Sequence, residues 1–162
     1  MSDLVEPTTV EDAPSPPHDS GPFVPQVLGL ICERSVPIDE LMRPDGRLRE
    51  MSNVHLLRFP CSGMIKPSLA QLALDAGWDG VIVTGCGVGD CHFREGNLWA
   101  RERFLGDRAP NKFRRMDQRR VCMIWKAASE PDEFLGEVRT FLDLLNTLPP
   151  NERKADAKGK KR

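Results

Sequence analysis

The sequence predicts a single-domain α/β protein, with a mainly parallel four-stranded sheet as the middle of three layers and helices on both faces. Short apolar runs alternate with helix-forming segments along the chain, and this alternation is typical of parallel strands joined by crossover helices. The length of 162 residues falls within the usual size of one domain, roughly 50–250 residues. The longest apolar runs are far shorter than the ~20 residues of a transmembrane helix, so we expect no membrane span.

The two ends of the chain differ in composition from its middle. Residues 1–22 are acidic and rich in Pro and Ser, and residues 150–162 are mostly basic or small. Neither end can bury enough apolar surface to offset its ordering entropy. We therefore expect a disordered acidic arm over 1–22, a folded α/β domain over 23–149 and a disordered basic tail over 150–162.

Charge and targeting signals narrow the class of protein further. The formal net charge of −1 at pH 7 gives the whole chain no preference for nucleic acid or for an anionic membrane. The N-terminus has no basic start followed by an apolar region, so no secretory signal is predicted. We expect a cytoplasmic protein, and in that compartment cysteines serve metal or redox chemistry more often than structural disulfides.

The first half of the domain contains two predicted strands and one clear helix. Residues 26–32 form an apolar run that predicts a buried strand, and residues 36–42 predict one or two helical turns. Residues 53–60 predict the second strand. Residues 66–76 predict a helix, because Pro67 suits its first turn and a glycine follows its end. The expected apolar face of this helix consists of Leu69, Leu72 and Leu74.

The second half repeats the pattern. Residues 78–85 are rich in β-branched side chains and predict the third strand. Residues 96–106 predict a helix with Asn97 as a possible N-cap, and residues 120–125 predict the fourth strand. A last helix opens with acidic residues after Ser129, as the helix dipole favours, and ends before two prolines. Its predicted buried stripe consists of Leu135, Val138, Phe141, Leu142 and Leu145.

Four of the five cysteines follow predicted strands. Cys32 ends the first strand, Cys61 follows the second and Cys86 the third, with Cys91 further along the same glycine-rich loop. The carboxyl ends of parallel strands meet at one edge of a sheet, where ligands bind. Four thiolates are what an iron–sulfur cluster or a tetrahedral zinc ion requires, and nearby glycines can offer N–H groups to the sulfurs. Cys122 lies inside the fourth strand and is predicted to be a small buried hydrophobe.

Other features carry weaker predictions. Cys91 and His92 would make a nucleophilic pair, but side chains adjacent on a turn rarely face one another. His55 lies among leucines and is predicted to be a satisfied core histidine. The GCGVGD sequence resembles a phosphate-binding turn but lacks the Lys-Ser/Thr of a P-loop. The basic run over 112–120 is predicted to be a solvated face or a protein interface.

Three motifs, in this order and spacing, resemble the delta subunit family of methyl-viologen-reducing hydrogenase, the hydrogenase iron–sulfur subunits. They are Phe59-Pro-Cys-Ser-Gly63, Asp79-Gly-Val-Ile-Val-Thr-Gly-Cys86 and Gly89-Asp-Cys-His-Phe-Arg-Glu-Gly-Asn97, and the resemblance extends over residues 27–145. It implies a small α/β protein that binds a 2Fe–2S cluster. It also implies electron transfer between a hydrogenase or other dehydrogenase and a heterodisulfide-reductase-like flavoprotein, within an oxidoreductase complex rather than as a separate catalyst.

The resemblance implies that the cluster ligands are Cys32, Cys61, Cys86 and Cys91. One position departs from the family, which has a C-x-x-C pair at the end of the first strand: Ser35 stands in place of the second cysteine. Four thiols remain, which is enough for one cluster. His92 and Arg94, beside Cys91, are predicted either to stabilise the reduced cluster or to be solvated loop side chains. A cluster-free interaction subunit and a zinc-stabilised domain remain alternatives.

Overall fold

The computed structural model of the protein describes residues 21–109, 117–126 and 130–152. Strands and helices alternate along them in the predicted order. The strands are β1 (Val27–Cys32), β2 (Val54–Phe59), β3 (Gly80–Gly85) and β4 (Val121–Trp125). The helices are α1 (Ile38–Leu41), α2 (Pro67–Asp75), α3 (Gly96–Leu105) and α4 (Pro131–Thr147). Single turns of 3₁₀ helix lie at Ser62–Met64 and Gln118–Arg120.

The sheet is parallel throughout, with its strands in the order β2-β1-β3-β4. The chain leaves β1 towards β2 on one side and returns to the other side for β3. The connections therefore change direction between the carboxyl ends of β1 and β3, where open α/β sheets bind their ligands. The α/β class predicted from the sequence is confirmed.

Each face of the sheet has its own hydrophobic core, because successive residues of a strand point to opposite faces. Val27 and Ile31 of β1 belong to the core beneath α1 and α4. Leu28 and Leu30, which alternate with them, belong to the core beneath α2 and α3. The sheet is therefore the middle of three layers, as predicted.

The helices match their predicted positions, but one buried face differs. The predicted stripe of α4 is buried at Leu135, Val138, Phe141 and Leu145, with Leu142 half-buried. In α2 the buried positions are instead Pro67, Ala70, Ala73 and Leu74, and the predicted Leu69 and Leu72 are half-buried. Small alanine side chains let α2 lie close to the sheet, so the two leucines lie to the sides of the contact.

A buried polar network closes the amino ends of the strands, opposite the cysteines. The Asp79 carboxylate accepts hydrogen bonds from the backbone N–H of Gln26 at 2.9 Å and of Asn151 at 3.0 Å. The Asn151 amide donates to the carbonyl of Trp78 at 2.7 Å. Arg120 donates to the carbonyl of Asp79 at 2.9 Å. This network joins the segment that follows α4, at Asn151, to the start of β1 and β3.

Three of the predicted segments lie wholly or largely outside the described residues. The predicted acidic arm up to residue 20, the predicted tail from residue 153 and the basic run over 112–116 all fall there. Within the described ranges, no helix combines the length and the apolar character that crossing a bilayer requires.

Candidate metal centre

Four cysteines lie around the carboxyl ends of β1, β2 and β3. Cys32 is the last residue of β1 and is 2 % exposed, and Cys86 follows β3 and is 4 % exposed. Cys32 pairs with Phe59, two residues before Cys61. Cys91 lies further along the loop to α3 and, like Cys61, is half-buried. The parallel register therefore gathers at one edge the four thiols that the sequence predicts to be ligands.

The thiols lie near enough to influence one another's ionisation. Cys32 and Cys91 both affect the thiol of Cys86, and Cys91 and Cys32 both affect that of Cys61. Burial raises the pKa of Cys61, and its Cys91 and Cys32 neighbours add to the rise. Burial likewise raises the pKa of Cys86, and Cys32 is the main neighbour that adds to it. A raised pKa is expected where buried thiols crowd together without a cation, since each thiolate disfavours the next.

Two backbone N–H groups point at the sulfurs. That of Gly63 donates to the Cys61 sulfur at 3.3 Å and lowers the pKa of that thiol. The N–H of His92 has the same effect on the pKa of Cys86. The sequence predicts N–H donors to sulfur among the glycines of these loops, and the donor at His92 was not foreseen.

Two glycines let α3 approach the thiols closely. A Cβ atom on Gly96 would lie 2.3 Å from the Cys61 sulfur and 3.5 Å from the Cys91 sulfur. A Cβ on Gly63 would lie 3.1 Å from the Gly96 Cα atom. The space around Cys61 and Cys91 therefore depends on the absence of side chains at both positions.

Asn97 has a different role from the predicted N-cap. Helix α3 begins at Gly96, and its N-cap residue is Glu95. The buried Asn97 amide instead donates to the carbonyls of Cys86 at 3.0 Å and Gly87 at 2.9 Å. It therefore ties the start of α3 to the loop that carries Cys86, a role that depends on how α3 docks and has no signal in the local sequence.

Ser35, which stands in place of the family's cysteine, is fully buried beside the site. Its hydroxyl donates to the Cys32 carbonyl at 2.7 Å, and its backbone N–H donates to the same oxygen at 3.0 Å. The hydroxyl is thus used to close the turn that follows β1.

Three of the weaker predictions can be compared with the structure. Cys122 is half-buried on β4 and packs against the core beneath α4, and burial raises the pKa of its thiol to about 11. The His92 ring is exposed and packs edge-to-face on Phe93, with ring centroids 4.9 Å apart. His55 packs against Trp78, but its Nε2 atom is buried with no hydrogen-bond partner among the described residues, so it is not fully satisfied.

An open hollow of about 450 Å³ lies on the solvent side of Cys61. Its lining includes Met64 and Phe93, each 55 % exposed, Trp99, 41 % exposed, and the side chain of Arg103. The Cys61 thiol therefore faces a partly apolar surface, whereas Cys32 and Cys86 are buried.

Four cysteine thiols are a donor set that suits an iron–sulfur cluster and also a zinc ion. Within the described residues, no three Cys, His, Asp or Glu side chains lie close enough together to hold a single ion. The four thiols match in number the ligands of a 2Fe–2S cluster. The glycine cradle around Cys61 and the N–H groups aimed at sulfur also suit a cluster. The residues present therefore fit such a group.

The fold and the site together define a class: a three-layer α/β protein with clustered cysteine thiols at the switch point of a parallel sheet. The chain belongs to the family described as methyl-viologen-reducing hydrogenase, delta subunit, which it matches over residues 27–148. The family resemblance predicted from the three motifs is thereby confirmed.

Curated relatives fall into two kinds. The chain is 41 % identical over 97 residues to an F420-non-reducing hydrogenase iron–sulfur subunit from Archaeoglobus profundus, covering 60 % of this chain and 71 % of that one. It is 28 % identical over 127 residues to the F420-non-reducing hydrogenase vhc iron–sulfur subunit from Methanococcus voltae, covering 78 % and 88 %.

The second kind is much longer than this chain. One such relative is a subunit of the ferredoxin/F420H2-dependent CoB–CoM heterodisulfide reductase of Methanosarcina acetivorans, and the match is 31 % identical over 104 residues. It covers 64 % of this chain but only 13 % of that protein. The chain thus corresponds to a small part of the heterodisulfide reductase protein and to most of a hydrogenase iron–sulfur subunit.

Proposed function

We propose that the protein is an electron-transfer subunit that holds a 2Fe–2S cluster through Cys32, Cys61, Cys86 and Cys91. The observation that carries this proposal is the arrangement of the four thiols, which the parallel register brings to one edge of the sheet from the ends of β1, β2 and β3. When bound, a 2Fe–2S cluster takes up and returns one electron at a time. The protein then belongs to an oxidoreductase complex and needs no substrate pocket of its own.

The residues around the thiols support this role. The N–H groups of Gly63 and His92 are placed to stabilise negative charge on the sulfurs, which is one of the factors that set a cluster's potential. Cys32 and Cys86 are shielded from water, while Cys61 lines the hollow formed with Met64, Phe93 and Trp99. We infer that electrons enter or leave on the Cys61 side.

The relatives support a proposal for the partners. The same domain forms a small part of a protein named as a heterodisulfide reductase component and most of proteins named as hydrogenase iron–sulfur subunits. A domain that is part of a larger protein in one case and a separate subunit in another commonly contacts the same kinds of partner in both. We propose a heterodisulfide-reductase-like flavoprotein as one partner and a hydrogenase or other dehydrogenase as the other.

The compartment follows from the same chemistry. All five cysteines are free, and thiols persist in the reducing cytoplasm. We therefore propose that the complex works in the cytoplasm.

A zinc-stabilised domain is the second candidate, since four thiolates also suit zinc. Metal analysis separates zinc, iron and a cluster-free protein directly.

The test is anaerobic purification followed by an absorption spectrum and iron and sulfide analysis. A 2Fe–2S centre predicts about two irons and about two sulfides per chain, with charge-transfer absorption in the visible range. A colourless, iron-free protein after anaerobic reconstitution would contradict the proposal, and about one zinc per chain would favour the second candidate.

Two cysteine variants test the ligand assignment. Cys91→Ala is expected to lose the bound iron, because it removes one of the four proposed ligand thiols. Cys122→Ala is the matched control and should retain it, since that thiol faces α4 on another part of the sheet. Loss of iron from the Cys122 variant, with retention in the Cys91 variant, would show that the assigned ligands are wrong.

A further inference from the structure

Helix α3 contacts the turn that carries Cys61 at two places. Gly96 and Arg103 are seven residues apart, about two helical turns, and therefore lie on the same face of α3. At Gly96 the backbone approaches the Cys61 sulfur directly. At Arg103 a long side chain reaches the same turn, and its Nη1 group donates to the Gly63 carbonyl at 2.6 Å.

Gly63 links this guanidinium to the sulfur. Its carbonyl accepts from Arg103, and its own N–H donates to the Cys61 sulfur at 3.3 Å. The turn is otherwise held by backbone hydrogen bonds from Met64 to Cys61 and from Ile65 to Ser62. Arg103 is thus the side chain that fixes this turn against the helix.

The charge of Arg103 is also placed beside the site. Its side chain is half-buried and lines the hollow next to Cys61, and its Nε donor is buried with no hydrogen-bond partner among the described residues. No carboxylate in the described ranges forms an ion pair with it, although Glu95 lines the same hollow. A cation in such a position favours whichever state of a neighbouring group carries more negative charge.

We propose that Arg103 is a positioning residue of the metal centre. It holds the Cys61 turn in place through Gly63, and its charge favours the reduced state. The first role belongs to the chain with or without metal, and the second rests on the proposed function.

The test compares Arg103→Met, Arg103→Lys and a control, Arg101→Met, which lies exposed on the same helix and lines a different hollow. Hydrogen–deuterium exchange over residues 61–65 is measured in the metal-free protein. The midpoint potential is measured after reconstitution.

Arg103→Met is expected to speed exchange in this segment several-fold and to shift the midpoint potential to more negative values. Arg103→Lys should keep the potential near that of the wild type while exchange stays fast, because an ammonium preserves the charge but not the geometry of the guanidinium fork. Arg101→Met should change neither quantity.

Wild-type exchange in Arg103→Met would overturn the positioning role, and a wild-type potential would overturn the role of the charge. If Arg103→Met does not fold, Arg103→Lys tests both roles. Wild-type exchange in Arg103→Lys would contradict the positioning role, and a midpoint potential that departs from the wild-type value would contradict the role of the charge. A chain that binds no iron in any variant would refute the proposed function and the effect on potential, while the exchange measurement would still decide the positioning role.

Discussion

Gly96 shows at the scale of one residue how little free space surrounds the thiols. A single added carbon there would lie 2.3 Å from the Cys61 sulfur, well inside the sum of van der Waals radii. The neighbouring atoms belong to a thiol in a tight turn and to backbone, so neither can move away easily. The glycine is required for this contact between α3 and the turn.

Gly96→Ala is therefore expected to destabilise the protein by about 1–3 kcal/mol, the usual effect of overpacking, and to lose the bound metal. Chemical denaturation of the metal-free protein measures the first effect and iron analysis the second. Gly136→Ala is the matched control, because a Cβ on that glycine of α4 meets nothing within 4 Å. It should gain roughly 0.5–1 kcal/mol from better helix propensity. If both variants gained stability, the close contact at Gly96 would be refuted.

Among individual residues, the cysteines were the easiest to predict from the sequence. Cys32, Cys61 and Cys86 stand at the end of a strand or within two residues of one, and strand ends are local features of the sequence. Asn97 and Arg103 were not foreseen, because their contacts depend on the orientation of α3 relative to two loops. A helix with a mixed, mostly polar sequence gives little information about that orientation.

His55, on the edge strand β2, makes the free energy of unfolding depend on pH. Burial lowers the pKa of this imidazole, and the nearby Arg47 lowers it further. The unfolded chain, with a histidine pKa of about 6.5, therefore binds a proton that the folded chain resists. Where the unfolded state binds more protons, the free energy of unfolding falls as pH falls.

The metal-free wild type should thus lose stability as pH decreases below about 6.5, until the lowered pKa of His55 in the folded state is passed. His55→Phe keeps a ring beside Trp78 and removes the titration, so its stability should decline less over the same window. Denaturant unfolding between pH 5 and 7 measures this. His92→Phe, in an exposed loop position, should follow the wild type; parallel profiles for all three proteins would contradict the assignment.

The boundaries of the helices and strands were predicted more reliably than which of their faces is buried. Prolines and glycines fixed most boundaries to within one or two residues, as at Pro67 and at Gly77, whose φ of +102° suits a helix end. The buried face of α2 was predicted only in part: Leu74 is buried as expected, but Ala70 and Ala73 were passed over in favour of Leu69 and Leu72. The strand order β2-β1-β3-β4 could not be predicted from the sequence either. Without that order, the proximity of Cys32 to Cys86 could not be predicted.

At the scale of the whole molecule, the two ends of the sheet have separate roles. The carboxyl ends carry the thiols, and the amino ends carry the buried Asp79 network. Asp79→Ala removes the acceptor of two buried backbone N–H groups, from Gln26 and Asn151. Each unsatisfied donor costs about 1–3 kcal/mol.

Asp79→Ala is therefore expected to lower the free energy of unfolding by on the order of 3 kcal/mol, while the folded fraction still binds iron. Urea denaturation and iron analysis of the folded protein test the two parts. Asp143→Ala, on the exposed side of α4, should change stability by less than about 0.5 kcal/mol. Folded Asp79→Ala protein without iron would show that the two ends of the sheet are coupled.

The two hydrophobic cores lie on the faces of the sheet, and their packing depends little on the four thiols at the edge of the sheet. The fold should therefore survive loss of the metal. On the proposed function, a chain starved of iron would still present the Cys61 side to the proposed partners and would occupy their binding site without carrying an electron. Under iron limitation such molecules would act as competitive inhibitors of the loaded form, so output would fall with the ratio of empty to filled molecules rather than with the total amount of protein.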